Sequence, residues 1–263
     1  MKIKLNLTIF LLSILTVGCH KKVETSVFSP SKNIKVHFNL SSVGKPYYFI
    51  LKASEKVIDT SYLGFDFKNA KSFVDDFQIV KTSINEFHEN WKMPWGEQLD
   101  VVNHYNELKV ELQEKSDLKR KLHLVFRVYD DGVGFRYEFP SQDNLNEVLI
   151  TEENTQFNLL KDYKTFWIPG DWDIYEHLYS TTKLSEIDAK SYIPKTNLAQ
   201  TYIPENAVNT PVTLVGENGL HLSFHEAGLI DYSGMTLKVD TKNLSFQSNL
   251  VGSRNNDFKV KRS

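Results

Sequence analysis

The strictest constraint that this sequence places on its fold is a pair of alternating segments within residues 121–140. Every second residue is apolar on both sides of a short polar break, namely Leu122, Leu124, Phe126 and Val128, then Val133, Phe135, Tyr137 and Phe139. Successive side chains of a β-strand point to opposite faces, so this period buries one face and exposes the other. The break, Asp130-Asp131-Gly132, is typical of a tight turn whose glycine can take a positive φ, and Pro140 ends the second segment. The stretch therefore predicts an antiparallel hairpin.

Alternating or short apolar runs bounded by turn residues recur along the rest of the chain. They predict further strands at residues 34–40, 47–53, 56–60, 108–113, 148–151, 166–169, 212–215, 220–226, 235–239 and 244–250. Helical periodicity is sparse, and no internal repeat stands out. Many strands joined by turns, without alternating long helices, favour an all-β fold: one large antiparallel sandwich domain over residues 31–263 with few short helices.

Residues 1–18 are predicted to be a secretory signal rather than part of the fold. Two lysines precede an apolar run over residues 5–17, which is too short to span about 30 Å of hydrocarbon. The segment ends at Thr16-Val17-Gly18-Cys19, which resembles the lipobox of bacterial lipoproteins, although Thr16 stands where that pattern prefers leucine. We expect export to the periplasm or outer membrane, with a membrane anchor through lipidated Cys19; ordinary cleavage near Gly18 is the alternative. Residues 19–30 are polar and predict a tether.

Composition narrows the classes of partner. The formal net charge of the 263 residues is −2 with interspersed signs, so no basic patch points to nucleic acid. Cys19 is the only cysteine, so we expect a packed core rather than disulfides to stabilise the fold. Aromatic residues make up 13% of the chain, which is typical of β domains that stack sugars on ring faces and also of aromatic sandwich cores. Composition alone favours the core interpretation.

Two segments carry candidate binding residues of different kinds. In residues 91–97 two indoles lie near a carboxylate, and Asn103-His104-Tyr105-Asn106-Glu107 follows. This cluster could shape a sugar platform, but a loop that packs its two large aromatics is the favoured interpretation. Residues 166–177 contain a strand ending in Pro-Gly and then three carboxylates, Asp171, Asp173 and Glu176. Such oxygens suit calcium, although the spacing does not match an EF-hand, and a solvated acidic turn is the favoured interpretation.

Two further segments are weaker candidates. His225 and Glu226 are adjacent on a predicted strand and would point to opposite faces, so they do not form one acid–base pair. A buried histidine or glutamate bonded to backbone is the favoured interpretation there. The polar stretch from Leu184-Ser185-Glu186-Ile187 to Gln200 predicts a lip over a site. The sequence has neither a His-Glu-x-x-His zinc motif nor a Gly-x-Ser-x-Gly elbow.

In their order and spacing these segments resemble the N-terminal domain of glycoside hydrolase family 97, which comprises exported bacterial α-glucosidases and α-galactosidases. The resemblance spans nearly all of residues 28–250. It is carried by Trp95-Gly96-Glu97, Asn103-His104-Tyr105-Asn106-Glu107-Leu108, residues 126–140, Phe166-Trp167-Ile168-Pro169-Gly170-Asp171, Leu184-Ser185-Glu186-Ile187 and His225-Glu226-Ala227.

The resemblance implies a β-super-sandwich of the galactose mutarotase-like kind, which packs against a (β/α)8 catalytic barrel. One glutamate of the N-terminal domain serves as a calcium ligand in the family, and the register from Gly170-Asp171 assigns it to Glu176. A segment after the Leu184 motif lines the substrate pocket, so Thr196 and Asn197 are the candidate substrate-binding residues. The catalytic carboxylates of the family lie in the barrel, which these 263 residues do not include. We therefore expect no catalytic residue here, and calcium binding only together with the barrel.

The resemblance gives two functional hypotheses. The first is the N-terminal part of a calcium-dependent hydrolase of α-glucosides or α-galactosides, which lines the site for an α-linked oligosaccharide but is catalytically incomplete alone. The alternative is a stand-alone lipoprotein that binds carbohydrate without hydrolysing it. A sugar mutarotase is a third, weaker idea that rests on fold analogy alone.

Overall fold

The computed structural model describes residues 23–145, 147–193, 201–230, 232–252 and 258–261. Helices in these ranges are three short 3-10 segments, Leu184–Glu186, Ala189–Tyr192 and Glu217–Gly219. In the same ranges no helix is long and apolar enough to cross a membrane. The strands are β1 (Ser26–Phe28), β2 (Ile34–Leu40), β3 (Pro46–Lys52), β4 (Glu55–Tyr62), β5 (Phe65–Phe67), β6 (Phe77–Lys92), β7 (Asp100–Glu114), β8 (Lys121–Val128), β9 (Val133–Glu138), β10 (Glu147–Glu153), β11 (Gln156–Asn158), β12 (Lys164–Trp167), β13 (Ser180–Lys183), β14 (Ala207–Asn209), β15 (Val212–Val215), β16 (His221–Phe224), β17 (Met235–Asp240), β18 (Ser245–Leu250) and β19 (Phe258–Lys261).

The strands form one large and three smaller antiparallel sheets, which confirms the all-β prediction. The large sheet has eight strands in the order β1-β2-β3-β4-β11-β18-β17-β14. Two four-stranded sheets have the orders β6-β7-β8-β9 and β13-β12-β15-β16, and a three-stranded sheet has the order β19-β10-β5. The pairings among the described strands are antiparallel.

Aromatic rings join the large sheet to both four-stranded sheets. The ring centroid of Phe126 on β8 lies 6.1 Å from that of Phe38 on β2. Phe157 on β11 lies 6.3 Å from Phe135 on β9 and 4.9 Å from Phe224 on β16. The two smaller sheets therefore cover neighbouring parts of the large sheet, and together they form the second layer of a β-super-sandwich. Aromatic pairs at these separations stabilise a core beyond the area they bury.

The hairpin predicted over residues 121–140 is confirmed as β8 and β9. The apolar residues of β8 that were expected to face inward are fully buried, namely Leu122, Leu124, Phe126 and Val128. The turn between the strands is closed by a hydrogen bond from the backbone N–H of Tyr129 to the carbonyl of Gly132, 2.8 Å long. The expectation of a positive φ was wrong, because Gly132 does not lie in the left-handed region.

Strands β6 and β7 extend well beyond the sandwich as one hairpin. They pair along their length as far as Lys92 and Asp100. Residues on the inner face of β7 change from buried Leu108 to partly exposed Asn106 and His104, which shows where the core ends. We call the part beyond the core, residues 83–107, the arm. The loop that was expected around residues 91–97 and 103–107 is therefore wrong for residues 91–92 and 103–107, which lie on strands, and confirmed for residues 93–97, which belong to the connection between β6 and β7.

The fold begins earlier than the predicted tether allows. Residues Ser26–Phe28 form β1, which pairs with β2 through Val27 and Val36, and Val27 is buried. The polar residues around Val27 concealed this short edge strand, since one buried apolar side chain gives no period. The tether interpretation is thus wrong for residues 26–28. Residues 1–22, with the signal segment and Cys19, lie outside the described residues.

A buried ion pair lies at the turn end of the β7–β8 hairpin, where Glu114 ends β7 and Arg120 precedes β8. Arg120 donates from Nε and Nη2 to the two carboxylate oxygens of Glu114, and both distances are 2.7 Å. Its Nη1 donates to the carbonyl of Lys71 at 2.9 Å, and the guanidinium lies 4.3 Å from the ring centroid of Phe73. The two side chains are 2% and 0% exposed, so each charge depends on the other.

Replacing Arg120 should therefore destabilise the domain strongly. We expect Arg120→Ala to lower the free energy of unfolding by about 3–5 kcal/mol, because it leaves the Glu114 carboxylate buried without its partner. Urea denaturation measures this change. The matched control is Lys161→Ala, which breaks an exposed pair with Glu217 (Nζ to Oε2, 3.8 Å) and should cost less than about 1 kcal/mol. Equal losses in the two variants would contradict the role of the buried pair.

Candidate functional site

The candidate site is the loop of residues 170–179, which connects the paired strands β12 and β13. Backbone hydrogen bonds hold its start against a neighbouring segment: Gly170 donates to the carbonyl of Ala207 at 2.8 Å, and Ile203 donates to the carbonyl of Gly170 at 2.9 Å. A Cβ at position 170 would lie 3.1 Å from the Ala207 oxygen. Glycine at this position therefore permits the close approach of the two backbones.

Asp171 is a buried carboxylate that fixes the shape of this loop. Its Oδ1 accepts hydrogen bonds from the backbone N–H groups of Asp173 at 2.9 Å and Ile174 at 3.2 Å. Its Oδ2 lies 3.0 Å from Nε2 of His177. Burial alone would raise the pKa of Asp171. Hydrogen bonds from the Thr201 hydroxyl and from the backbone and His177 of the loop have the larger effect, so the pKa lies below its usual value of 3.8. The carboxylate is ionised and held from several sides.

His177 and Asn209 complete this internal network. The His177 ring lies 4.7 Å from the ring of Tyr202, whose hydroxyl is 3.2 Å from Nδ1. With Nε2 donating to Asp171, a neutral His177 can accept at Nδ1 from the Tyr202 hydroxyl, which satisfies all three groups. The buried Asn209 accepts from the backbone N–H of Asp171 and donates to the carbonyl of Ile174, both at 3.1 Å.

The outer surface of the same loop is apolar and aromatic. Five large side chains are exposed within eight positions: Trp172, Ile174, Tyr175, Leu178 and Tyr179. Leu178 is 89% exposed, and Asp173 and Glu176 are also exposed. A rigid polar interior beneath an exposed apolar surface is typical of a segment that contacts a ligand or another protein. The interpretation as a solvated acidic turn is therefore wrong for Asp171, whose carboxylate faces inward.

The loop of residues 170–179 could supply only part of the ligands of a calcium ion. Glu176 precedes the fixed His177, and its exposed carboxylate is a hard oxygen ligand of the kind that calcium prefers. Within the described ranges, no three His, Cys, Asp or Glu side chains are grouped so that they could hold a metal ion. Glu176 alone would supply a minority of the six to eight oxygens that calcium takes. The predicted substrate-binding residues Thr196 and Asn197 lie outside the described residues.

Comparison with known families identifies this combination of sandwich and loop. The family model described as the glycosyl-hydrolase 97 N-terminal domain matches residues 27–260. This chain belongs to the glycosyl-hydrolase 97 N-terminal family. The resemblance drawn from the sequence motifs is confirmed, and the exposed loop at 170–179 is part of a domain found in glycoside hydrolases.

Solved structures of the family agree in fold and cover almost the whole chain. Two structures of a glycoside hydrolase family 97 enzyme from Pseudoalteromonas sp. strain K8, a point variant in complex with panose and the enzyme in complex with acarbose, match with a TM-score of 0.77 and 32% identity over 90% of this chain. A β-arabinopyranosidase matches with a TM-score of 0.73 and 19% identity, which shows the fold alone. The chain spans about one third of the length of the Pseudoalteromonas enzyme, since it covers 33% of that chain.

The segment around His225 and Glu226 has a structural role. Strand β16 ends at Phe224, so the two residues follow the strand rather than lying on it. Glu226 accepts a hydrogen bond at Oε2 from the backbone N–H of Met235, 3.0 Å long. The expected bond between Glu226 and the backbone is confirmed, but the expected burial was wrong, because Glu226 is half-buried and His225 is exposed. In the Leu184 motif, Leu184 and Ile187 are buried in the core, so these two residues anchor the segment that leads towards Gln200.

Sequence reasoning missed a buried carboxylate at the end of β10. Glu153 accepts hydrogen bonds from the hydroxyls of Thr155 at 2.6 Å and Tyr232 at 2.7 Å. Burial raises the pKa of Glu153, and the charge of Glu226 adds to this shift. Tyr232 lies 79 residues away in the sequence, and the bond to nearby Thr155 produces no periodic pattern of residue types. Only the three-dimensional structure could therefore show the network.

Asp171→Asn should loosen the loop and remove an acid-sensitive contribution to stability. The pKa of Asp171 is lower in the folded state than in the unfolded state. The ionised carboxylate therefore stabilises the folded protein at any pH above the unfolded pKa. That stabilisation is lost as the pH falls through the folded pKa. We expect the variant to be about 1–3 kcal/mol less stable at pH 7, with a gap that closes below about pH 3.8. Denaturant unfolding across this pH range measures both effects.

The same variant should also speed hydrogen exchange at the amides of residues 173 and 174, which lose a charged acceptor. Asp173→Asn is the matched control, because that side chain is exposed. If Asp171→Asn leaves stability and exchange as they are in Asp173→Asn, the buried carboxylate does not hold the loop.

Proposed function

We propose that this chain is the N-terminal domain of a calcium-dependent glycoside hydrolase that acts on α-glucosides or α-galactosides. In this proposal the chain lines the carbohydrate site and supplies one calcium ligand, Glu176. The catalytic carboxylates belong to a (β/α)8 barrel outside these 263 residues. The observation that carries the proposal is the loop of residues 170–179, which combines an internally fixed backbone with exposed rings and an exposed carboxylate.

The family relationship and the chemistry of the loop support a carbohydrate ligand. Two structures of a similar enzyme from Pseudoalteromonas sp. strain K8 contain panose and acarbose. The exposed rings of Trp172, Tyr175 and Tyr179 provide apolar faces on which a pyranose ring can stack, with a polar edge that can bind hydroxyl groups. A loop that is already ordered loses little conformational entropy when it binds, so its contacts contribute more fully to affinity.

The calcium part of the proposal assigns a distinct role to each residue. Calcium, when bound, supplies Lewis-acid polarisation of an oxygen atom. Glu176 would hold it through its carboxylate. Asp171 and His177 would act through the backbone, because their hydrogen bonds fix the segment from which Glu176 projects. The remaining oxygen ligands would come from the barrel.

The bonding of the described carboxyl groups supports the proposal that this domain does not hydrolyse glycosides by itself. Hydrolysis needs two placed carboxyl groups, one with a raised pKa that protonates the leaving oxygen. Among the described residues, burial raises the pKa of Glu153 and Glu226. Glu153 is bonded to Thr155 and Tyr232, and Glu226 to the backbone of Met235, so neither belongs to the loop of residues 170–179.

A stand-alone carbohydrate-binding lipoprotein is the second candidate, favoured by the exposed rings of the loop and the arm. Both candidates include export and a lipid anchor at Cys19, on the strength of the motif at residues 16–19. Mass spectrometry of the N-terminal peptide tests the anchor: diacylglycerol on Cys19 supports it, and an unmodified thiol contradicts it. The two candidates differ in their need for calcium. If this chain is part of a longer hydrolase, that enzyme requires calcium for activity, whereas the stand-alone lipoprotein binds carbohydrate without it.

The purified chain should not hydrolyse aryl α-glucosides or aryl α-galactosides, with or without added calcium. The reason is that the acid and base of the reaction are proposed to lie in the barrel. Release of the aryl group, followed by absorbance, measures this. Turnover clearly above that of a heat-denatured sample would place a complete active site in this chain and overturn the proposal.

Glu176→Gln should leave folding intact, because the carboxylate is exposed and its proposed role is to bind a ligand. We expect the free energy of unfolding to change by less than about 0.5 kcal/mol, as for most exposed substitutions. Thermal and urea unfolding measure this, and Asp171→Asn serves as the destabilising comparison in the same loop. A loss as large as that of Asp171→Asn would show that Glu176 has a packing role instead.

A further inference from the structure

The outer face of the arm carries a second set of exposed rings. Side chains alternate along a strand, so odd-numbered residues of β6 share one face with their partners in β7. In the arm this face contains the opposed pairs Phe87 and Tyr105, Glu89 and Asn103, and Trp91 and Val101. The expectation that the aromatics near residue 95 pack into the protein was wrong, because Trp95 at the tip is 80% exposed and Trp91 is 41% exposed.

The ring of Phe87 is held in place although it is exposed. It stacks on Tyr105 with centroids 5.1 Å apart and an angle of 22° between the planes. Tyr105 is buried, and it is fixed in turn by the ring of Tyr129 at 5.1 Å and by the guanidinium of Arg127 at 4.7 Å. Phe87 thus presents a preorganised ring face, 41% exposed, at the root of the arm.

The spacing along this face suits a chain of sugar rings. Trp91 lies four residues beyond Phe87, which is about 13 Å along a strand. Glu89 and Asn103 lie between the two rings and offer carboxylate and amide groups. Ring faces that alternate with hydrogen-bonding groups complement the apolar C–H faces and hydroxyl edges of successive pyranose units. A covering protein segment would instead bury the Glu89 carboxylate and would need a cation opposite it.

We propose that the outer face of the arm is an oligosaccharide-binding surface, separate from the loop of residues 170–179. Phe87 and Trp91 stack two sugar rings of one bound chain, and Glu89 and Asn103 bind hydroxyl groups between them. The inference shares only its ligand class with the proposed function, and it requires neither calcium nor hydrolysis. It gives the domain an extended contact with a glycan at a place other than the proposed calcium site.

Isothermal titration of the purified protein with maltoheptaose tests the surface, in calcium-free buffer, with the α-galactoside verbascose in parallel. We expect one of the two oligosaccharides to bind, and Phe87→Ala and Trp91→Ala each to weaken binding by about tenfold or more. Val102→Ala is the matched control, because Val102 is an exposed apolar residue on the opposite face of the arm, and it should leave affinity unchanged. Unfolding curves confirm that each variant is folded.

Three results would overturn the inference. The first is that the wild-type protein binds neither oligosaccharide, and the second is that Trp91→Ala and Val102→Ala bind alike. The third is that Tyr175→Ala abolishes binding while Trp91→Ala does not. That third result would locate the sugar in the loop of residues 170–179, so the arm proposal would fail while the proposed function would stand. Conversely, the proposed function would fail and the arm proposal would stand if Trp91→Ala weakened sugar binding while a longer enzyme that contains this domain worked without calcium.

Discussion

The aromatic packing between the eight-stranded sheet and its two covering sheets is the interaction on which the rest of the structure depends. The sequence has a single cysteine, so the described fold has no disulfide to replace this core. Phe38, Phe126, Phe157 and Phe224 connect strands that are far apart in sequence, which makes one core out of several sheets. Both segments that we propose to bind ligands project from this frame: the arm continues β6 and β7, and the loop of residues 170–179 joins β12 to β13.

The two projecting segments are ordered by different physical means. In the loop, the buried carboxylate of Asp171 accepts hydrogen bonds from the loop backbone and from His177. The polar groups therefore satisfy one another in the interior, while the apolar rings are exposed on the outside. In the arm, the continuous ladder between β6 and β7 supplies the order, and stacked rings stiffen its root. In both cases the exposed rings belong to rigid backbone, which lowers the entropic cost of binding. The glycoside hydrolase family to which the domain belongs is consistent with a glycan as the ligand.

The sequence predicts the sandwich well where one face of a strand is buried. Leu122 to Val128 alternate because every second side chain enters the core, and the period is visible locally. The arm was missed because most of its side chains on both faces are exposed, so Lys81 to Lys92 show no alternation. The network of Asp171 was missed because Tyr202 and Asn209 lie more than thirty residues away and hydrogen bonds leave no pattern in the sequence. Glu176 was assigned through family resemblance, since the spacing of the three carboxylates alone did not distinguish a ligand from an exposed acid.

We propose that Glu176 is a calcium ligand of a catalytic site that this domain shares with a barrel. The most direct test is a chimera in which residues 23–261 replace the N-terminal domain of the Pseudoalteromonas enzyme, with which they share 32% identity. The measurement is the calcium concentration that gives half-maximal hydrolysis, compared between the chimera and its Glu176→Gln variant. We expect an active, calcium-dependent chimera and a variant that needs at least about tenfold more calcium, equivalent to about 1.4 kcal/mol. An active chimera whose calcium requirement is the same with glutamate or glutamine at position 176 would contradict it.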